Sequence, residues 1–429
     1  MKLLHTLLLA AVTCAAYAAE PSMANRQMAS NYYAYPYPEM PLPQLTAAPQ
    51  GYLPFHIEHY GRHGSRWHIG EYVYTTPVSI MLKAESCHKL TPRGEQLLAE
   101  LKRIEVASRG RDGELTPLGA EQHRGIARRM VKNFPQVFAD SARIDARSTV
   151  VIRCILSMDN ELQEMYAANP SLRITSDASY ADMDYMNHHD TLMHKLTNPA
   201  RKCQMPRIDS LYANTGEWLD KLFTDTQWAK DSLNTGSLLW HLFIINANSQ
   251  SHKDQKGFYD IFTDDEITRQ WTINNADWYL RYGNSPHTQG AGQHIQRQLL
   301  TNILQSADTA ILYGKPSANL RFGHETCLMP LTVLMQLDHY GDPIKDMEQI
   351  ASLWHNYDIF PMAGNIQMIF YAPEDKTPTP DNVLVKVLLN EKERHLPVAT
   401  DNFPYYKWSL VRDFYSNKLA KPEPKLTPQ

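Results

Sequence analysis

Three times along this chain an apolar, strand-like run ends in a polar cluster, and twice that cluster opens directly into a helix-like stretch. The first is Tyr52 to Phe55, which leads into His56 to Trp67 with Arg62-His63-Gly64-Ser65-Arg66 inside it. In the second, Ile144 to Thr149 is followed by Val150 to Ser157, with Arg153 in the opening turns. Asn319 to Phe322 forms the third, passing through Gly323-His324-Glu325-Thr326 into the apolar Leu328 to Leu337. Strands alternating with helices in this way build a parallel sheet covered by helices. Open sheets of that kind bind ligands beyond the strand ends, where helix N-termini favour anions. The expected fold is therefore α/β, with a parallel-type central sheet flanked by helices and the three polar ends meeting in one site.

The residue types say what that site could hold. Arginine offers a planar fork of donors that matches phosphate oxygens and keeps its charge, and an uncharged imidazole nitrogen can attack phosphorus. Glycines on either side of the Arg62-His63 pair let the backbone approach a ligand closely. Arg62-His63-Gly64-x-Arg66, Arg153 in a Ser/Thr-x-x-x-Arg-Cys-x-x-Ser setting and His324-Glu325-Thr326 follow one another along the chain. In that order and spacing, most of the sequence after about residue 50 resembles the histidine acid phosphatase family, in its phytase and multiple inositol polyphosphate phosphatase branch.

The resemblance implies a phosphoglycerate-mutase-like core and a phosphoric monoester hydrolase. His63 would be the nucleophile, forming a phosphohistidine that water later hydrolyses, and Glu325 the proton donor to the leaving alcohol. Arg62, Arg66, Arg153 and His324 would bind the phosphate. His59, His68 and Arg147, basic residues near the motifs, are expected to add substrate contacts. Inositol polyphosphates such as phytate are the expected substrates. Sugar phosphates or other small phosphoesters are the alternative, and a catalytically weak phosphate-ester binding protein is a further one. Two departures stand out. Trp67 occupies a position where the family commonly has proline, and Glu325 follows His324 directly, whereas the acid of the inositol-phosphate branch usually comes one residue later.

Along the chain, Met1-Lys2 and the apolar Leu3 to Ala18 read as a secretory signal over 1–18, cut near Ala18-Ala19, so that the protein is expected to be periplasmic or secreted. A lipid anchor through Cys14 is the minor alternative. Residues 19–50, rich in Tyr and Pro, read as an extended segment lying across the folded body. Leu90-Thr91-Pro92 and Leu115-Thr116-Pro117 each place a capping Thr before Pro, predicting helices over Pro92 to Glu105 and Pro117 to Asn133. Strands are predicted at Ala142 to Ala146 and Leu172 to Ser176, with a helix from Thr149 to Tyr166 between them. The pattern of 182–308 is helical and rich in Trp, His, Gln and Asn, and it reads as an inserted domain splitting a core made of 51–181 and 309–417. Asn187 to Asp190 would lie near the pocket mouth at its start. Strands resume at Ala310 to Tyr313 and Asn319 to Phe322, then at Ile366 to Ala372 and Val383 to Asn390, before a disordered tail over 418–429.

A formal net charge of −4 gives no electrostatic footprint for nucleic acid, so any anion site has to be local. After the signal, Leu238 to Ala247 is the apolar segment that needs a decision; it is short, interrupted by His241, and suits a buried helix better than a membrane span. Cys87, Cys154, Cys203 and Cys327 allow three pairings, and lone buried thiols are an equal alternative. Neither the histidines at 56, 59, 63 and 68 nor His188-His189-Asp190 forms a recognisable zinc set, so no metal or other cofactor is expected.

Overall fold

The computed structural model describes residues 22–36, 41–186 and 188–422. The expected signal at 1–18, Asn187 and the end of the expected tail, 423–429, lie outside the described residues. Strand β1 (Tyr52–Arg62) runs through the middle of an eight-stranded sheet. To one side β2 (Arg143–Ser148), β3 (Arg173–Asp177) and β4 (Ala318–Gly323) follow in the order β3-β2-β4-β1, all parallel. To the other, β5 (Asn365–Pro373), β6 (Leu384–Leu389) and β7 (Lys392–Arg394) continue antiparallel, and β8 (Tyr406–Lys407) pairs with β6. The sheet is thus mixed: its first half is the expected parallel one. The link from β5 to β6 contains no helix, so the chain returns as a hairpin without the crossover that parallel pairing needs.

Helices α1 (Met23–Gln27), α2 (Tyr72–Ser86) and α3 (Pro92–Ser108) precede a pair, α4 (Pro117–Asn133) and α5 (Ile152–Ala168), that covers one face of the sheet. Thr91 and Thr116 accept the N–H of Gly94 and Gly119, with Pro at the first helical position, so α3 and α4 start where the Thr-Pro signals put them. Ile57 and Leu320 on the sheet meet Ala127, Met130, Leu162 and Met165 from these helices.

Between β3 and β4 come α6 (Thr191–Leu211), α7 (Glu217–Leu222), α8 (Thr226–Ser232), α9 (Thr235–Asn248), α10 (Asp264–Tyr282) and α11 (Arg297–Tyr313), with no sheet strand among the described residues. This helical stretch feeds two existing cores. From α7 and α9, Trp218, Leu222 and Leu238 join Val78 and Leu97 of α2 and α3. From α6 and α10, Met193, Ile208 and Tyr279 join α12 (Glu325–Met335), which packs with α11 on the second face of the sheet. The short α13 (Ile350–Leu353) and α14 (Asn356–Ile359) lead to β5, and α15 (Trp408–Ala420) closes the chain against that face.

Four local expectations change. The segment over 19–50 is not extended throughout: Ser22 accepts the Asn25 N–H and starts α1, and a helical turn follows at Ser30–Tyr32. Ala310 to Tyr313 is the last turn of α11, whose Leu300, Ile303, Leu304, Ala307 and Ile311 recur at helical spacing and are buried; a four-residue apolar run cannot by itself separate helix from strand. Gly314, at φ 65, ends that helix, so the expected domain boundary at 308/309 falls inside it. The tail starts later than Lys418, because α15 runs to Ala420 and the Lys418 ammonium donates to the Leu334 carbonyl at 2.6 Å.

Candidate active site

Register brings the motif ends together. Arg62 at the end of β1 lies beside Gly323 at the end of β4, and Ser148 at the end of β2 beside Phe322. One residue on, the His63 N–H donates to the Gly323 carbonyl at 2.9 Å and the Thr149 N–H to the Phe322 carbonyl at 3.0 Å. The next residues are then those named by the three motifs: His63, Arg66, Arg153 in the first turn of α5, and His324-Glu325 at the start of α12. The antiparallel half adds Gly364, just before β5, whose carbonyl takes the Arg62 N–H at 2.8 Å.

The loop that carries His63 is clamped from below. Gly64 and Gly119 meet backbone to backbone: a Cβ at Gly64 would lie 2.4 Å from the Gly119 oxygen, and one at Gly119 would lie 2.3 Å from the Ser65 oxygen. The Ser65 carbonyl accepts the Thr116 N–H at 2.8 Å, and the Gly64 N–H donates to Ser157 of α5 at 3.1 Å. Gly119→Ala should therefore force the loop off α4 and cost about 1–3 kcal/mol by overpacking. Urea denaturation measures it; an unchanged midpoint would mean that the two backbones do not approach this closely.

His63 is fully buried, and its Nδ1–H donates to the Gly64 carbonyl at 2.9 Å. That bond leaves the lone pair on Nε2, which is buried without a hydrogen-bond partner. Burial, followed by the charge of Arg153, pushes the imidazole down to about 3, so it stays neutral in mild acid. The Nε atoms of Arg66 and Arg153 are likewise buried without hydrogen-bond partners, while that of Arg62 faces the Glu325 carboxylate. Their other donors are tethered: Arg62 Nη1 to the Phe360 carbonyl at 2.6 Å and Nη2 to that of Asn31 at 2.8 Å, Arg66 Nη1 to that of Trp67 at 2.9 Å. Burial, with the charges of Arg66 and Arg153, pulls Arg62 down to about 10, despite Glu325. Three such atoms in one buried cluster, His63 Nε2 and the Nε of Arg66 and Arg153, are what a tetrahedral anion would complete.

Glu325 is the first residue of α12 and stands against this cluster, with Oε2 3.1 Å from Arg62 Nε and 3.4 Å from His63 Nε2. Burial alone would raise its carboxyl, but the charges of Arg62 and, further off, Arg66 outweigh it and hold the group well below the usual carboxylate range. His324 caps the same helix; its ring lies 5.7 Å from that of His63, with Nδ1 3.4 Å from Arg153 and Nε2 3.3 Å from the Thr149 hydroxyl. Burial and neighbouring His188 keep it neutral. His63, His324 and Glu325 offer ligand atoms within 4.8 Å of one another, a spacing that a metal could use. The positive field of three arginines around them suits an anion instead.

Three expected substrate contacts do not join the cluster. His59 lies on β1 four residues before His63, fully buried against Phe322 with ring centroids 5.2 Å apart, beneath the site rather than in it. His68 is buried between Tyr32 and Tyr74, its Nε2 3.1 Å from the Ile244 carbonyl. Arg147 pairs with Asp145 at 2.7 Å and lines a separate cavity of about 330 Å³ with Arg143, Thr175 and Lys315. Trp67 packs into the α2–α9 core, 4.2 Å from the ring of His252, so the departure from proline does not fill the phosphate cluster. His188, expected near the mouth, stacks on His324 at 3.9 Å with its Nδ1 unpartnered. Sequence reasoning missed Thr149, Asn31 and Tyr32, and nothing local marks the last two. Cys87 and Cys203 are exposed thiols, and Cys154 is a buried one beside His324 at 3.6 Å.

Fold and site together define an α/β protein with an anion pocket beyond the ends of parallel strands, built around a neutral histidine. The chain belongs to the histidine phosphatase superfamily (branch 2), whose sequence profile matches residues 82–390. The matched span opens after His63, which the sheet places opposite Glu325. Multiple inositol polyphosphate phosphatase 1 of Gallus gallus is 21% identical over 303 residues, 65% of this chain and 64% of that protein's length. The fold is similar to that of the Bifidobacterium longum multiple inositol polyphosphate phosphatase in complex with phosphate, with a TM-score of 0.72 at 18% identity over 91% of this chain and 97% of that one. It is also similar to the phytase of D. castellii, with a TM-score of 0.65 at 14% identity, over 92% and 86% of the two chains. Among the described residues no helix is long and apolar enough to cross a membrane.

Proposed function

We propose that this chain hydrolyses phosphomonoesters through a phosphohistidine at His63, with inositol polyphosphates such as phytate as substrates. One observation carries the reading: His63 Nε2 and the Nε atoms of Arg66 and Arg153 are buried without hydrogen-bond partners in one cluster, with Arg62 Nε beside them at 3.1 Å from Glu325. His63 Nε2 attacks phosphorus, the bond from phosphorus to the ester oxygen breaks, and that oxygen takes the proton of Glu325. A water then attacks the phosphohistidine, giving its proton to the Glu325 carboxylate and releasing inorganic phosphate. The arginines and His324 hold the phosphate oxygens, a task mainly of position and charge. The family and the names of its relatives support the substrate class. The expected signal over 1–18 supports action after export, in the periplasm or medium.

Purified protein should release phosphate from phytate at mildly acidic pH with a chelator present. Release from p-nitrophenyl phosphate alone would keep the mechanism and remove the substrate. Saturable phosphate binding with no release from either ester would turn the reading to a binding protein.

A further inference from the structure

Of the three arginines in the pocket, Arg153 is tied differently from the other two. Arg62 and Arg66 are tethered to main-chain carbonyls, whose lone pairs are always on offer. Among the described residues the Arg153 side chain makes one hydrogen bond, from Nη2 to His324 Nδ1 at 3.4 Å. A guanidinium only donates, so Nδ1 has to present its lone pair. A neutral imidazole that does so carries its hydrogen on Nε2, and a protonated ring would set donor against donor. The tether therefore exists in only one protonation state of the ring. His324 Nε2 lies 3.3 Å from the Thr149 hydroxyl, with the Cys154 sulfur next at 3.6 Å. Sulfur is a weak acceptor, and the Cys154 thiol spends its own hydrogen on the Gly323 carbonyl at 3.3 Å, so the hydroxyl is the partner that fixes Nε2.

From this we infer that Thr149 is a positioning residue of the phosphate site: its hydroxyl keeps the His324 hydrogen on Nε2, and the lone pair so fixed on Nδ1 holds Arg153. Thr149 is itself held on both sides of its backbone. It is fully buried, its N–H donates to the Phe322 carbonyl at 3.0 Å, and its carbonyl accepts from the Ser148 hydroxyl at 2.9 Å. With Nη2 committed to His324, Arg153 keeps its unpartnered Nε for the anion. The effect on phosphate rests on the phosphatase reading, which gives Arg153 an anion to bind; the tautomer does not.

Nuclear magnetic resonance of protein labelled at its histidine ring nitrogens separates the two neutral tautomers by their nitrogen shifts, with the His324 signals identified by their loss in His324→Asn. Wild type should carry the His324 hydrogen on Nε2. Thr149→Val keeps the side-chain shape and removes the hydroxyl; it should move part of that hydrogen to Nδ1. Inorganic phosphate should then bind about threefold to tenfold more weakly by calorimetry, the worth of one neutral hydrogen bond. Thr149→Ser retains the hydroxyl and should match wild type in both measurements, which a purely structural role of the threonine would not require. Thr149→Ala takes the place of Thr149→Val should the latter fail to fold. A hydrogen on Nδ1 in wild type, an unchanged tautomer without the hydroxyl, or unchanged phosphate affinity despite a shifted tautomer would each overturn the role. Wild-type protein that binds no inorganic phosphate would bring down the phosphatase reading and the task of Arg153 with it, while the spectrum still reports where the His324 hydrogen sits.

Discussion

His63→Ala is expected to lower kcat for phytate on the order of 10⁵-fold, the scale seen when the nucleophile of a covalent mechanism is removed. The ring has one job that no neighbour can assume. Its Nδ1–H is committed to Gly64, its Nε2 is unpartnered, and the surrounding imidazoles His324 and His188 already stack on one another. The fold should persist, because β1 is paired along both edges and His63 lies just past its end. Rapid quench of wild type with labelled substrate should trap an acid-labile, base-stable phosphoprotein that the variant lacks. Residual turnover above about one hundredth of wild type would assign the attack to another group.

Glu325→Gln should cost about 10²–10⁴-fold in kcat on phytate, the usual range for a general acid. On p-nitrophenyl phosphate, whose leaving group needs no proton, the loss should be far smaller. The carboxyl is held well below its ordinary value, mainly because Arg62 outweighs the effect of burial. That makes it a carboxylate at rest, whereas the reaction needs it protonated. An arriving phosphate competes for Arg62 Nε, which stands 3.1 Å from Glu325, and sets a second negative charge beside it. Both changes raise the carboxyl, so binding itself should draw in a proton. The sign follows. In the enzyme–substrate complex the working form is the acid, so kcat should fall as pH rises through the raised value. On the acid side kcat/KM should fall only near pH 3, where the free His63 imidazole takes a proton. Glu325→Gln should flatten the alkaline limb alone. Calorimetry of phosphate binding in buffers of different ionisation enthalpy should show proton uptake by wild type and none by the variant.

The strand ends and helix starts were legible because their signals are local: a capping Thr before Pro, an apolar run, a motif of adjacent residues. Strand register then did what no motif could, setting Arg62 beside Gly323 and Ser148 beside Phe322. Closeness in sequence misled where the backbone turns side chains aside. His59 stands two residues before Gly61 on the same face of β1 and is sealed under Phe322, while His68 has passed the loop into another core. Arg147 is answered by Asp145 on its own strand. Tyr32 and Asn31 were invisible for the opposite reason: their partners Arg66 and Arg62 lie some thirty residues on, and a tyrosine-rich segment reads as packing.

The helix α12 has a consequence for how such a protein can change. From Cys327 to Met335 every residue is buried, and the two residues that open the helix are His324 and Glu325 at its cap and first position. A helix so enclosed cannot drift without disturbing the interior, so the acid is indexed to the chassis of the molecule. Other parts meet the site from outside this helix: the segment at Tyr32, the loop at His188 and the helices behind Trp67. Variation there can retune which ester enters while the chemical step keeps its alignment. Libraries aimed at new substrates would be spent best on those accessories, with the cap of α12 left alone.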